Sequence, residues 1–288
     1  MTGFSTDWLA LREPFDRAAR EASAAALDLG VLALRLRAGA PMLRVLDLAC
    51  GTGANLRELA PRLGGSQRWL LVDHDPRLLA ALPEAFGAWA RAQGFALRAD
   101  ADCLRIEGPD WDAEVRTRCI DLVMALDAVP FDEAQLVTAS ALLDLVSASW
   151  LDALLVHARA ANAAMLFALN VDGRVNWEPA IAADVQVHEL FAAHQRRDKG
   201  FGAALGGEAV ALAVARMGAM GYDVLLAQSD WRIEEPAMLK AMVEGTATAA
   251  LEQEPAARAL VRAWESERLA LVERKCLCVG HRDILATL

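Results

Sequence analysis

Residues 43–75, LRVLDLACGTGANLRELAPRLGGSQRWLLVDHD, decide the fold. A short apolar run closes on an acid, a glycine turn leads into a helical stretch, and a second apolar run closes on another acid. Leu43 to Leu48 is too short for a helix and rich enough in branched residues to be a buried parallel strand. Gly51 and Gly53 fall where the chain must turn sharply into the helix. The second run, Trp69 to Val72, ends at Asp73, about twenty residues past the glycines, where a Rossmann-type unit hydrogen-bonds a ribose.

Two side chains narrow the ligand. A dinucleotide site wants a third glycine so that the helix N-terminus can meet a pyrophosphate, and here that position is Leu56. Asp47 lies four residues before Gly51, where an anion repels a pyrophosphate and attracts an ammonium. The expected ligand is adenosine with a positively charged tail, which disfavours a nicotinamide-dependent oxidoreductase.

Asp47-Leu48-Ala49-Cys50-Gly51-Thr52-Gly53 resembles motif I, D/E-x-x-x-G-x-G, of the class I, Rossmann-like S-adenosylmethionine-dependent methyltransferases. The resemblance implies an α/β fold: a seven-stranded, mostly parallel sheet of order 3-2-1-4-5-7-6 with helices on both faces. It implies S-adenosylmethionine as cofactor and S-adenosylhomocysteine as product. The turn at Ala49, Gly51 and Gly53, with Cys50 and Asn55, would hold the methionine end, Asp47 would lie near its amino group, Asp73 would take the ribose hydroxyls, and His74 would line the adenine. Cys50 suits the turn by its size more than by its thiol.

A third acid is expected to follow. Asp100 and Asp102 come after Phe95 to Arg98, whereas Asp121 closes the alternating run Val115 to Ile120. The family's third strand is followed by an L-P-F-like turn, which Val129-Pro130-Phe131 matches, so the resemblance selects Asp121, with Leu122, as the adenine contact. Residues 94–112 are then an inserted hairpin in which Asp100 and Asp102 are turn residues. Gln135 to Ser140 reads as the fourth strand. The resemblance implies that its exit makes Ala139 and Ser140 cofactor contacts and Asp144 a substrate contact, Asp144 equally fitting a helix-start acid. A helical pattern over 145–160 and a fifth strand, Met165 to Leu169, complete a doubly wound parallel sheet.

Residues 170–205 exceed the usual connection length, and long polar insertions at the carboxyl end of such a sheet sit where ligands bind. They are expected to form a substrate lid, with Asn170, Arg174, Trp177 and Arg197 as substrate contacts. Helical spacing from Ala182 to Gln195 puts Val187, Leu190, Phe191 and His194 on one face. His194 is the candidate general base, or else a lid histidine satisfied by a neighbour. Residues 1–40, with Trp8, Leu9, Leu11 and Phe15 at helical spacing, are expected to cap the 41–288 domain, and the resemblance implies that Arg20 meets the methionine carboxylate. Beyond the lid, a helix over Gly207 to Met220, a sixth strand at Tyr222 to Ala227, helices at Pro236 to Glu252 and Pro255 to Arg274, and a last strand from Lys275 to His281 are expected.

Composition bounds the function. With 288 residues and 55% hydrophobic content the chain can bury a large core. Its net charge of -10, with lysine only at positions 199, 240 and 275, argues against a nucleic-acid surface and leaves a small-molecule substrate as the expected partner. Charged residues interrupt every long apolar run, so no membrane span is expected. The charged N-terminus and five cysteines without framework spacing suit the cytoplasm. Cys276 and Cys278 read as small core residues, and no metal site is expected. The alternatives are an RNA or protein methyltransferase, or a fold member that binds the cofactor without transferring its methyl group.

Overall fold

The computed structural model describes residues 6–100, 102–271 and 276–288. Helices α1 (Thr6–Ser23) and α2 (Leu29–Arg37) precede β1 (Leu43–Leu48), α3 (Ala54–Leu63), β2 (Gly65–Asp73) and α4 (Pro76–Gln93). A hairpin, β3 (Ala96–Ala99) and β4 (Leu104–Glu107), leads into β5 (Trp111–Cys119), followed by β6 (Leu136–Ser140), α5 (Ala148–Ala160) and β7 (Ala164–Glu178). Then come α6 (Asp184–Gln195), α7 (Ala209–Ala219), β8 (Asp223–Gln228), β9 (Trp231–Ile233), α8 (Pro236–Gln253), α9 (Arg258–Ala270) and β10 (Cys276–Thr287).

Local chemistry sets the helix ends near the site. Asp75 caps α4 by accepting from Arg77 N, Pro76 occupies the first turn where its missing N–H costs nothing, and Gly94 ends the helix at φ 72°. Ser147, not Asp144, caps α5, with Ser147 Oγ accepting from Trp150 N at 3.3 Å. The helix-start reading of Asp144 therefore fails.

The strands form one sheet in the order β3-β4-β5-β2-β1-β6-β7-β10-β8, with β9 paired to β10. Its ten strands exceed the seven expected. The hairpin β3-β4 lies antiparallel on β5, as the insertion before the third strand requires, and Asp100 sits in its turn, donating from N to Cys103 O at 2.9 Å. Setting aside these two and β9, the inner run is β5-β2-β1-β6-β7-β10-β8, in which β10 is antiparallel to both neighbours.

β7 departs most from expectation. It runs on past Leu169 to Glu178, paired with β10 from Met165↔Ala286 to Glu178↔Cys276. Residues 170–178 are thus strand, and the segment outside the sheet begins only after them. Their alternation of Val171, Val175 and Trp177 with polar residues is the pattern of a strand with one wet face, and its polar half reads as a loop. The last strand likewise extends to Thr287, and Lys275 lies outside the described residues, as do Glu273 and Arg274 at the end of the expected last helix.

Both faces of the sheet are covered. Leu46, Leu48, Val137 and Phe167 pack under α5 and α7, while Leu43, Val45, Trp69 and Phe86 pack with α2, α3 and α4. A third cluster, with Trp177, Trp231, Met238 and Trp264, joins α1 to α6, α8 and α9. Each such side chain contributes about 1.5–3 kcal/mol on burial. No helix among the described residues is long and apolar enough to cross a membrane.

Candidate functional site

The turn after β1 is left-handed at three places, Ala49 (φ 52°), Gly51 (φ 55°) and Gly53 (φ 77°). At Ala49 this conformation costs about 1–2 kcal/mol. It is held by Cys50 N donating to Val72 O at 3.0 Å, Gly51 N to Asp73 Oδ2 at 2.8 Å, and Gly53 N to Cys50 O at 2.9 Å. A Cβ on Gly53 would sit 2.6 Å from Phe86 Cζ, so the turn presses directly on α4. Asp73 also accepts at Oδ1 from Asp75 N at 2.9 Å, which makes it the clasp between turn and α4 as well as the ribose candidate. His74, with a half-exposed ring, lies beside it at 3.4 Å.

Beneath the turn lies a buried polar chain. Asp47 Oδ1 accepts from Asn55 Nδ2 at 2.7 Å, and Asp47 Oδ2 is sealed from solvent with no partner. Burial pushes the Asp47 carboxyl up to about 7, against the opposing effects of Asn55 and Arg20. Asn55 also donates to Thr138 Oγ1 at 3.1 Å and accepts from Arg20 Nη1 at 2.6 Å. Arg20, 2% exposed, has its Nε sealed and unpartnered, and burial lowers its pKa. Burial likewise pushes the Cys50 thiol up, which keeps it un-ionised and fits its role as a small packing residue.

Helix α1 is pinned over this chain. Arg57 of α3 grips Glu13 with two bonds, 3.1 and 2.8 Å, and Leu9 lies 3.7 Å from where a Gly51 Cβ would be. Asp283 of β10 fixes the helix's far end: it accepts from Ser23 Oγ at 2.8 Å, Ser229 Oγ at 2.7 Å and Leu169 N at 2.8 Å. It is also the strongest compensating charge for Arg20. Sequence reading missed Arg57, Thr138 and Asp283. Asp283, a lone acid before the apolar run Ile284 to Leu288, carried a signal; the other two carried none. A cavity of about 420 Å³ runs between α1 and α3, and Arg20, Asn55, Ser140 and Leu169 line it beside the turn.

The remaining expected residues divide. Asp121 is exposed just beyond β5, with Oδ1 accepting from Val123 N at 2.8 Å, while the Leu122 side chain is core and its carbonyl accepts from Trp150 Nε1 at 2.8 Å. Ala139 is buried in β6. Asp144 has a sealed, unpartnered Oδ1, and burial pushes its carboxyl up to about 6. The loop clasping it, 201–206, donates Gly206 N to Asp144 O at 2.9 Å and packs Phe201 on Trp150.

Four lid candidates have structural partners instead of a place in the cavity. Trp177 is core, donating to His188 Nε2 at 3.0 Å under the Arg268 guanidinium. Asn170 Nδ2 donates to Phe167 O and Arg282 O across the irregular β7–β10 pairing. Arg174 pairs with Asp172 and Asp230, and Arg197 reaches Glu252 O at 3.4 Å. His194 Nε2 lies 3.0 Å from Glu252 Oε2 on α8, and His194 is not part of the cavity lining. The apolar face expected for α6 packs on α8, which draws His194 to that helix.

No protein-family profile and no curated protein matches the chain. Among solved structures, a cyclopropane-fatty-acyl-phospholipid synthase-like protein from Lactobacillus casei superposes with a TM-score of 0.56 at 15% identity, over 99% of this chain and 95% of that one. The chain shares that protein's Rossmann-like α/β fold. A methyltransferase from Geobacter sulfurreducens in complex with S-adenosylhomocysteine is also similar, at 16% identity, 93% and 96% coverage and a TM-score of 0.42. So is one from Thiobacillus denitrificans with the same ligand, at 16% identity, 91% and 91% coverage and a TM-score of 0.40. Asp47 Oδ2 and Arg20 Nε thus leave one acceptor and one donor buried beside the turn without a partner.

Proposed function

We propose that the protein is an S-adenosylmethionine-dependent methyltransferase with a small-molecule acceptor. The observation that carries this reading is the pair of buried, oppositely charged and incompletely bonded side chains, Asp47 and Arg20, held apart by Asn55 beside a left-handed turn. A buried carboxylate or guanidinium with an unmet bond is costly, and a zwitterionic ligand end satisfies both.

In this reading Asp47 takes the ammonium, Arg20 the carboxylate, and the backbone of Ala49 to Gly53 the rest of the methionyl tail. Asp73 takes the ribose hydroxyls, and His74 and Asp121 flank the adenine. The bound cofactor supplies an electrophilic methyl group on a sulfonium. The chain's own task is to align the acceptor and exclude water, and alignment is worth up to roughly 7–11 kcal/mol in ideal cases. Helix α1, pinned by Arg57 and Asp283, closes one side. Neither His194 nor Asp144, whose Oδ1 is sealed, lines the cavity, so an acceptor that loses its proton to solvent before transfer fits the site best. A cavity of about 420 Å³ falls in the range for small ligands, and the net charge of -10 disfavours RNA as acceptor.

Calorimetric titration with S-adenosylmethionine, S-adenosylhomocysteine and NADH tests the reading. Binding of the first two with none of the third is expected. Binding of NADH alone would replace the proposal with an oxidoreductase.

A further inference from the structure

The cavity extends well beyond anything a methionyl tail needs. Arg62 lies eight residues along α3 from Ala54, about 12 Å at 1.5 Å per residue, and both line the same cavity. Arg62 Nη1 donates to Glu58 Oε1 at 3.1 Å, whereas its Nη2 is sealed from solvent and has no partner. The nearby Arg20 is of like charge and also has an unpartnered nitrogen, so two of the four guanidinium groups lining the cavity hold a buried donor without a partner. Of the acids lining the cavity, Glu13 and Glu58 are paired with Arg57 and Arg62 and Asp16 with Arg12, while Glu21 is exposed. Trp89 and Phe95, in edge contact at 5.2 Å between ring centroids, form an apolar wall of the same cavity.

We propose that the Arg62 end of this cavity binds the carboxylate of a small aromatic acid, and that this acid is the methyl acceptor, its other end reaching Ser140 and Leu169 beside the turn. The acceptor role rests on the methyltransferase reading; the carboxylate site does not. The unpartnered Arg62 donor selects an acceptor group, and a carboxylate is the strongest one a guanidinium can take. Glu13, Glu21 and Glu58 around the cavity favour a monoanion over a phosphate dianion, since each added negative charge meets theirs. The aromatic wall selects a flat apolar body. Two arginines then serve two carboxylates, Arg20 that of the cofactor and Arg62 that of the acceptor.

Ligand-observed NMR on the full chain, with benzoate as probe and benzamide and benzylamine as matched controls, tests the site. Benzoate alone is expected to bind. Arg62→Gln should weaken it at least tenfold while S-adenosylhomocysteine affinity is unchanged, which also shows that the variant is folded. Glu58→Gln, which removes the charge that partly neutralises Arg62, should strengthen benzoate binding. Benzamide binding as well as benzoate, equal benzoate affinity in Arg62→Gln, or no benzoate binding overturns the proposal. Benzoate binding without S-adenosylhomocysteine binding would retire the methyltransferase reading and leave the carboxylate site standing.

Discussion

Asn55 donates to Asp47 Oδ1 at 2.7 Å, and with its own Oδ1 it accepts from Arg20 at 2.6 Å, so a neutral amide separates a buried anion from a buried cation. Direct contact between Arg20 and Asp47 would let each satisfy the other and would close the site as a structural ion pair. The amide gives each charge one bond and leaves each one atom for a ligand. Removing the spacer takes a bond from both charges. Asn55→Ala is expected to lower stability by about 1–3 kcal/mol for each group left short, read from the urea midpoint. A loss of less than about 0.5 kcal/mol would mean that the two charges rearrange and pair directly.

The Asp47 carboxyl, raised to about 7 by burial, ties both stability and binding to pH. Its usual value is about 4, so the folded protein holds the proton more tightly than the unfolded chain. The resulting stability is complete below about pH 4 and is lost as pH rises to about 7, where the buried carboxylate forms. An ammonium ligand favours the ionised form, so cofactor affinity should rise over the same upper range, with proton release on binding. Titration of S-adenosylhomocysteine at several pH values, in buffers of different ionisation enthalpy, measures both. Asp47→Asn should bind more weakly and lose the pH dependence. A wild-type affinity that is flat from about pH 5 to about pH 8 would contradict the ammonium contact.

Two glycines separate strain from packing. Gly53 has φ 77° and a Cβ there would lie 2.6–2.9 Å from Phe86 and Leu82, whereas Gly94 has φ 72° and nothing within 4 Å. Gly94→Ala should cost only the left-handed strain, about 1–2 kcal/mol. Gly53→Ala adds overpacking of about 1–3 kcal/mol and shifts the turn that carries the site. Thermal melts of the two variants give the difference, and equal losses would show that Phe86 moves aside without cost.

The first half of the chain was legible because its elements announce themselves locally. Leu43 to Leu48 is one short apolar run ending in an acid, and the observed strand has those same limits. The hairpin before β5 lies within the expected insertion, residues 94–112. The second half was not, because β7 beyond Leu169 is a strand only by virtue of β10, over a hundred residues later, and a pairing at that range leaves no local pattern. Site residues followed the same rule: Asp47 and Asp73 were marked by strand ends, while Thr138 and Arg57 matter through contacts made across the fold. His194 had the right chemistry on the right kind of helix, and the packing of α6 on α8 gave it Glu252 instead.

That pairing yields a separable expectation for His194. Its ring bonds Glu252 at 3.0 Å, with Lys199 Nζ at 3.5 Å on the opposite nitrogen, and no contact ties it to the turn or to Asp144. His194→Gln should leave S-adenosylhomocysteine affinity unchanged and lower stability by less than about 1 kcal/mol, the usual scale for an ion pair with an exposed partner. Asp144→Asn is expected to behave differently. It removes a carboxyl that burial holds near 6, and with it the stability that this carboxyl's retained proton contributes at low pH, lost as pH rises from about 4 to about 6. Urea denaturation at about pH 5 and about pH 8 distinguishes the two: the wild-type difference between the pH values should shrink in Asp144→Asn and persist in His194→Gln. The reverse pattern would return His194 to the site and make Asp144 an ordinary packing residue.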